Sequence, residues 1–162
     1  MPRTVVGMTP NRVGTKKIVV GTDGSATATE AVRRAVELAV AERASLHIVT
    51  AYRPRIGREA KLDAYVAPDA FRWRSSPGEV AERTAWAAAE TATAAGIEVE
   101  CHAQPGDPAD VLVEVVSEVD ADLLVIGNRG MRGAGRMVIP SVPNRVSHRA
   151  TCDILLVDTS AA

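Results

Sequence analysis

Apolar positions along this chain follow two periodicities that take turns. Lys17-Ile18-Val19-Val20-Gly21 is a compact β-branched run, and it leads through Thr22-Asp23-Gly24-Ser25 into the stretch Ala26 to Arg43. There Ala28, Val32, Ala35, Val36, Ala39 and Val40 recur at three- and four-residue steps, with Arg33, Arg34, Glu37 and Glu42 in other directions. The first pattern predicts a strand and the second an amphipathic helix with one buried stripe. The alternation continues with a strand over Ser45 to Ala51, a helix from Pro77 to Ala95 that stops at Gly96, and a strand over Ile97 to Ala103. A helix opening at Asp107 and running through Val119 buries Val111, Leu112, Val115 and Val119; a strand follows over Leu123 to Ile126. A short helix, Val142 to Ala150, and a last strand, Asp153 to Val157, complete the series. Two of the helix starts are chemically marked. Ser76-Pro77-Gly78-Glu79 is a capping box with proline at the first helical position, and Asp107-Pro108-Ala109-Asp110 repeats that logic.

Strands separated by helices at this spacing need crossover connections, so they form a parallel sheet with helices on both faces. The class is α/β, doubly wound. Ligands in such sheets bind beyond the carboxyl ends of the strands, where the winding direction reverses. Two loops place Gly, Asp and Ser at strand ends: Gly21 to Ser25 after the first strand, and Gly127 to Ser141 after the fourth. If those strands are neighbours, both loops face one crevice. Gly127 and Gly130 permit a sharp turn with free backbone amides, and a helix begins near Ser141; together these are the parts of a cradle for phosphate or carboxylate. Asp23 has two readings, contact with a ribose diol or with a metal beside phosphates, and, with Ser25, capping of the following helix. Arg129, Arg132 and Arg136 either neutralise phosphate charge or are simply solvated.

Composition narrows the partners. At 162 residues, 46% hydrophobic and 24% charged, the chain fits one globular domain, read as residues 16–162 behind a flexible N-terminal tail, 1–15, that lacks the apolar core of a secretory signal. A formal net charge of −1 provides no global attraction to nucleic acid or to a membrane, so any anion site is local. Cys101 and Cys152 match no metal-ligand spacing and read as buried inert thiols suited to a reducing cytoplasm. The irregular stretch Arg53 to Ser75 mixes Arg53, Arg55, Arg58, Lys61, Arg72 and Arg74 with Tyr65, Phe71 and Trp73. It reads as a lid or a surface loop over a neighbouring subunit rather than as a single-strand groove. There is no G-x-x-x-x-G-K-[ST] loop, and Gly133-Ala134-Gly135 has Val138 where a dinucleotide fingerprint needs glycine. His47 and His102 fall in strands and His148 on the last helix, with no Ser or Cys nucleophile poised beside them; neither a catalytic triad nor a metal site is expected.

At this point the residues resemble the universal stress protein family. Its nucleotide-binding members carry G-x-x-G, nine residues, then G-[ST]; here Gly127-Asn128-Arg129-Gly130, the nine residues Met131 to Ile139, and Pro140-Ser141 reproduce that frame with one change. The first-strand Asp23 and the order of elements from about Lys16 to Thr159 match as well. The resemblance implies a five-stranded parallel sheet of the adenine nucleotide alpha hydrolase type, order 3-2-1-4-5. It also implies a homodimer through the last strand, 153–157, and a cytoplasmic stress-response module that binds ATP, AMP or cyclic AMP, with Mg where the ligand is ATP. Carried over by position, Gly21, Thr22 and Asp23 would meet the ribose side and the backbone around Ile48 the adenine. Ile126, Gly127, Gly130, Arg136, Ser141 and Val142 would surround the phosphates. Binding rather than turnover is the implied activity, a slow ATPase and a nucleotide-free dimer being the alternatives. The segment Ser141 to Ala150 resembles actinobacterial members that bind cyclic AMP. Pro140 departs from the frame: it has no N–H to donate, and one lost charge-assisted hydrogen bond costs about 1.5–3 kcal/mol, which disfavours a triphosphate most.

Overall fold

The computed structural model describes residues 15–54, 76–128 and 142–159. Nine elements follow one another: β1 (Lys17–Gly21), α1 (Ala26–Glu42), β2 (Ser45–Tyr52), α2 (Pro77–Ala94), β3 (Val99–Pro105), α3 (Pro108–Val119), β4 (Leu123–Gly127), α4 (Val142–Ser147) and β5 (Asp153–Val157). The strands form one five-stranded sheet in the order β3-β2-β1-β4-β5, with every pairing parallel. β1 and β4 are therefore adjacent at the reversal of winding, as the sequence reading required for a shared crevice.

Helices cover both faces. On one, Val32, Ala35 and Ala39 of α1 and Ala85, Ala89 and Ala92 of α2 pack on Ile18, Val20, Leu46, Ile48, Cys101 and Val125. On the other, Val111, Leu112, Val115 and Val116 of α3 and Val146 of α4 pack on Val19, Val49, Leu124 and Ile126. β1, β2 and β4 are buried on both sides, which is why they read as continuous apolar runs instead of alternating ones.

The element boundaries shift for local reasons. In α1 the buried stripe is Ala31, Val32, Ala35, Val36 and Ala39, whereas Val40 is 53% exposed. Arg43 ends the helix in a left-handed conformation, φ 55°, with its amide turned back to the Ala39 and Val40 carbonyls. β3 begins at Val99 and not at Ile97, because the Ile97 amide donates to the Ala92 carbonyl at 3.1 Å and so belongs to the end of α2. α4 stops at Ser147, after which the Arg149 and Ala150 amides both donate to the Val146 carbonyl and close a turn. Both marked helix starts form: Ser76 and Glu79 make a reciprocal capping box, and Asp107 accepts from the Ala109 amide. Both thiols are free; burial is the main cause pushing Cys101 up to about 11, and it also raises Cys152. His47 and His102 are buried on the α3 side of the sheet. Burial, followed by His102 and Lys17, pushes His47 down to about 4. Burial also lowers His102, against the opposing pull of Glu100 and Glu118.

A candidate nucleotide cleft at the strand ends

Beyond the carboxyl ends of β1, β2 and β4 the described residues enclose a cleft of about 250 Å³. Small-molecule pockets usually exceed ~300 Å³, and residues 129–141, which join β4 to α4, lie outside the described part of the chain. The cleft has two characters. Val49, Ala51, Leu112, Ile126 and Val142 supply an apolar side, and Thr22, Asp23, Ser25 and Thr27 supply hydroxyls and a carboxylate where α1 begins.

The β1 loop is shaped by its own short side chains. The Thr22 amide donates to the Val49 carbonyl at 2.9 Å, extending the β1–β2 ladder by one bond. Thr22 Oγ1 accepts from the Gly24 amide and Asp23 Oδ1 from the Ser25 amide, at 3.1 and 2.9 Å, the self-bonding that favours Asp and Thr in turns. Gly24 sits at φ 78°, a conformation that favours glycine, and a Cβ there would lie 3.1 Å from Thr84 Cγ2. Ser25 is the cap of α1, its Oγ accepting from the Ala28 amide at 3.2 Å. That settles which of the two residues caps the helix and leaves Asp23 at the wall of the cleft.

At the second loop the exit of β4 is tied to the exit of β5. Asn128 Oδ1 accepts from both the amide and the hydroxyl of the buried Thr159 at 3.0 Å, and Asn128 Nδ2 donates to Asp158. Asn128 is the first variable position of the G-x-x-G frame, and sequence reasoning assigned it no role. On the far wall, Arg145 of α4 donates to Asp107 at 2.6 Å and to Asp110 at 3.1 Å, and Arg149 also donates to Asp110. These pairs hold the start of α4, and hence Val142 and Pro143, against the start of α3. The Arg149 hydrogen bond, with the charges of both arginines, holds the Asp110 carboxyl below the ordinary carboxylate range.

Of the residues singled out from the sequence, Gly21, Thr22, Asp23, Ile126, Gly127 and Val142 line this cleft together. The Ile48 side chain is fully buried on the opposite face, against α1 and α2; the expectation there concerned the backbone, and the next residue, Val49, lines the cleft. β2 also contributes Ala51. Gly130, Arg136, Pro140 and Ser141 lie outside the described residues. Val49, Ala51, Pro108, Leu112 and Pro143 were not singled out. For Val49 and Ala51 the signal was present, because strand parity puts them on the face that receives α3.

The family profile described as "Universal stress protein family" matches residues 14–158. The universal stress protein Rv1636 of Mycobacterium tuberculosis is 37% identical over 145 residues, covering 90% of this chain and 97% of that protein. Universal stress protein YxiE of Bacillus subtilis is 30% identical, covering 87% and 97%. A crystal structure of a universal stress protein in complex with cAMP superposes with a TM-score of 0.68 at 37% identity, covering 90% of this chain and 98% of that one.

Proposed function

This chain belongs to the universal stress protein family, and from that premise we propose that it is a regulatory module whose cleft binds an adenine nucleotide. The observation that carries the reading is the meeting of Gly21, Thr22 and Asp23 with Ile126 and Gly127 in one cleft at the reversal of the sheet. In this reading the purine lies against the apolar side formed by Val49, Ala51 and Leu112, and the Asp23 carboxylate takes a ribose hydroxyl. The frame Gly127 to Ser141 then takes the phosphate end. That a relative at 37% identity was crystallised with cAMP supports a nucleotide with few phosphate contacts, as does Pro140, which removes an amide from the frame. We assign cyclic AMP or AMP ahead of ATP and Mg, and binding ahead of hydrolysis.

β5 closes one edge of the sheet and carries Ile-Leu-Leu-Val, with Leu156 41% exposed. An apolar edge strand of this kind favours pairing with a second copy, and we propose a homodimer through 153–157. No helix among the described residues is long and apolar enough to cross a membrane, and the two free thiols suit the cytoplasm.

Calorimetric titration of the nucleotide-stripped chain with cyclic AMP, AMP and Mg-ATP tests the assignment. Saturable heat is expected with the first two and an affinity about ten- to hundredfold weaker with ATP. Asp23→Ala is expected to weaken the best ligand by a similar factor, with the unfolding midpoint recorded alongside to separate the loss of the Ser25 amide's acceptor from the loss of ligand contact. Absence of heat with all three nucleotides sinks the reading.

A further inference from the structure

On the α3 face of the sheet, one side-chain repeat inward from the cleft, β2 and β3 bring His47, Glu100 and His102 together. His47 and Glu100 are register partners, and His102 stands opposite Val49. His47 Nδ1 lies 3.1 Å from His102 Nε2 and 3.5 Å from Glu100 Oε2, while Glu100 Oε1 lies 3.9 Å from His102 Nε2. Both imidazoles are buried, and the Glu100 side chain is 30% exposed, which opens the cluster to solvent at the β3 edge of the sheet.

Two neutral imidazoles facing each other share one N–H between their near nitrogens, and the carboxylate beside them offers only acceptors. With both imidazole protons on the far nitrogens, lone pairs from all three side chains face one point, where a cation satisfies them at once. The spacing fits as well. Ligand atoms about 2.0–2.1 Å from a tetrahedral ion stand about 3.3 Å apart; the two imidazole nitrogens lie 3.1 Å apart, the nearer Glu100 oxygen lies 3.5 Å from His47, and one ligand atom from each of the three residues lies within 4.8 Å of the others. The nearby charges are Glu118 on α3 and Lys17 on β1, whose ammonium is turned to the Val119 carbonyl at 2.8 Å.

We propose that His47, Glu100 and His102 bind a divalent transition-metal ion of the zinc type, with the fourth position open to water or a small ligand. Two imidazoles and one carboxylate are a donor set that suits zinc and leaves one coordination position available. None of the three lines the nucleotide cleft, so the site stands apart from the proposed nucleotide reading. His102 nevertheless flanks Val49, which does line the cleft, so an ion here would sit one side chain away from its apolar side.

The test is a calorimetric titration of the full, chelator-treated chain with Zn²⁺ alone, repeated with Glu100→Gln and His102→Asn. One ion per chain is expected, with affinity lowered at least about tenfold in either variant; even loss of an outer-sphere partner costs ten- to hundredfold. Co²⁺ supplies a second readout: intense visible bands of a four-coordinate site, absent in both variants. Circular dichroism reports whether each variant is folded, and if His102→Asn is not, the half-exposed Glu100→Gln decides. No zinc heat and no four-coordinate cobalt bands in the wild-type chain overturn the proposal. So does undiminished zinc binding in folded Glu100→Gln, which would put the ion on other groups such as His148.

Discussion

Strand β2 presents Leu46 and Ile48 to α1 and α2 on one face of the sheet, and His47, Val49 and Ala51 toward α3 on the other. The first face packs tightly on the sheet, although a second cleft, of about 600 Å³, opens between α1 and α2 along Val32, Arg33, Val80, Arg83 and Thr84. Alanines at four- and three-residue steps on α2, Ala81, Ala85, Ala89 and Ala92, bring its backbone close to the sheet. The second face is covered by α3 and the six-residue α4, and it holds the candidate cleft at one level and two buried histidines at the next. The same strands support both. Both faces bury an apolar cluster, and the histidine pair lies on the second.

Ile48→Ala strikes the first face and carries the largest expected effect. Its side chain is fully buried, so the substitution should cost about 2–5 kcal/mol in denaturant unfolding. Nucleotide and zinc affinities of the folded fraction should be unchanged; a selective loss of nucleotide binding with full stability would mean that Ile48 belongs to the site after all. Asn128→Ala comes next. It strips the partners of the buried Thr159 and is expected to cost about 2–3 kcal/mol. Because it releases the exit of β4, nucleotide affinity should fall with it, and a stable variant with unaltered affinity would break the link between the β4–β5 clasp and the cleft.

A smaller effect separates the polar layer from the apolar one. His47→Leu alone leaves His102 with Glu100 at 3.9 Å and should cost about 1–2 kcal/mol, whereas the double variant with His102→Leu should return close to wild type, since no imidazole then remains buried without a partner. A double variant as unstable as the sum of its parts would show that the pair contributes packing rather than polarity. The smallest effect concerns Asp110, whose side chain is 52% exposed. Its folded carboxyl lies below the ordinary range, so its contribution is present above the unfolded carboxylate's pKa and is lost as the pH falls through the folded value. Asp110→Asn should therefore narrow its stability gap from wild type as the solution is acidified, and added salt should narrow it too.

Much of this molecule was legible residue by residue. The capping box at Ser76 and the cap at Asp107 announced two helices, and the apolar runs Ile18 to Val20 and Leu123 to Ile126 announced strands buried on both faces. The cleft was legible as far as its two loops were, through Gly21 to Asp23 and Ile126 to Gly127. The backbone around Ile48 marked the right strand, but a continuous apolar run hides which side chains face which layer, so the lining side chains Val49 and Ala51 were not read from it. His47 and His102 each looked like an isolated strand histidine, separated as they are by 55 positions.

What the amino-acid order determined by itself is the succession of strands and helices and the chemistry stored at their ends, since caps, turns and side-chain periodicity act over a few residues. The neighbouring of β1 and β4 was already implied by the family resemblance; only the tertiary structure decided that the Val49 and Ala51 side chains meet the cleft, that Asn128 clasps Thr159, and that His47 faces His102. Those outcomes depend on pairing register between distant strands, which is selected by the summed burial of two helical layers and not by any local signal.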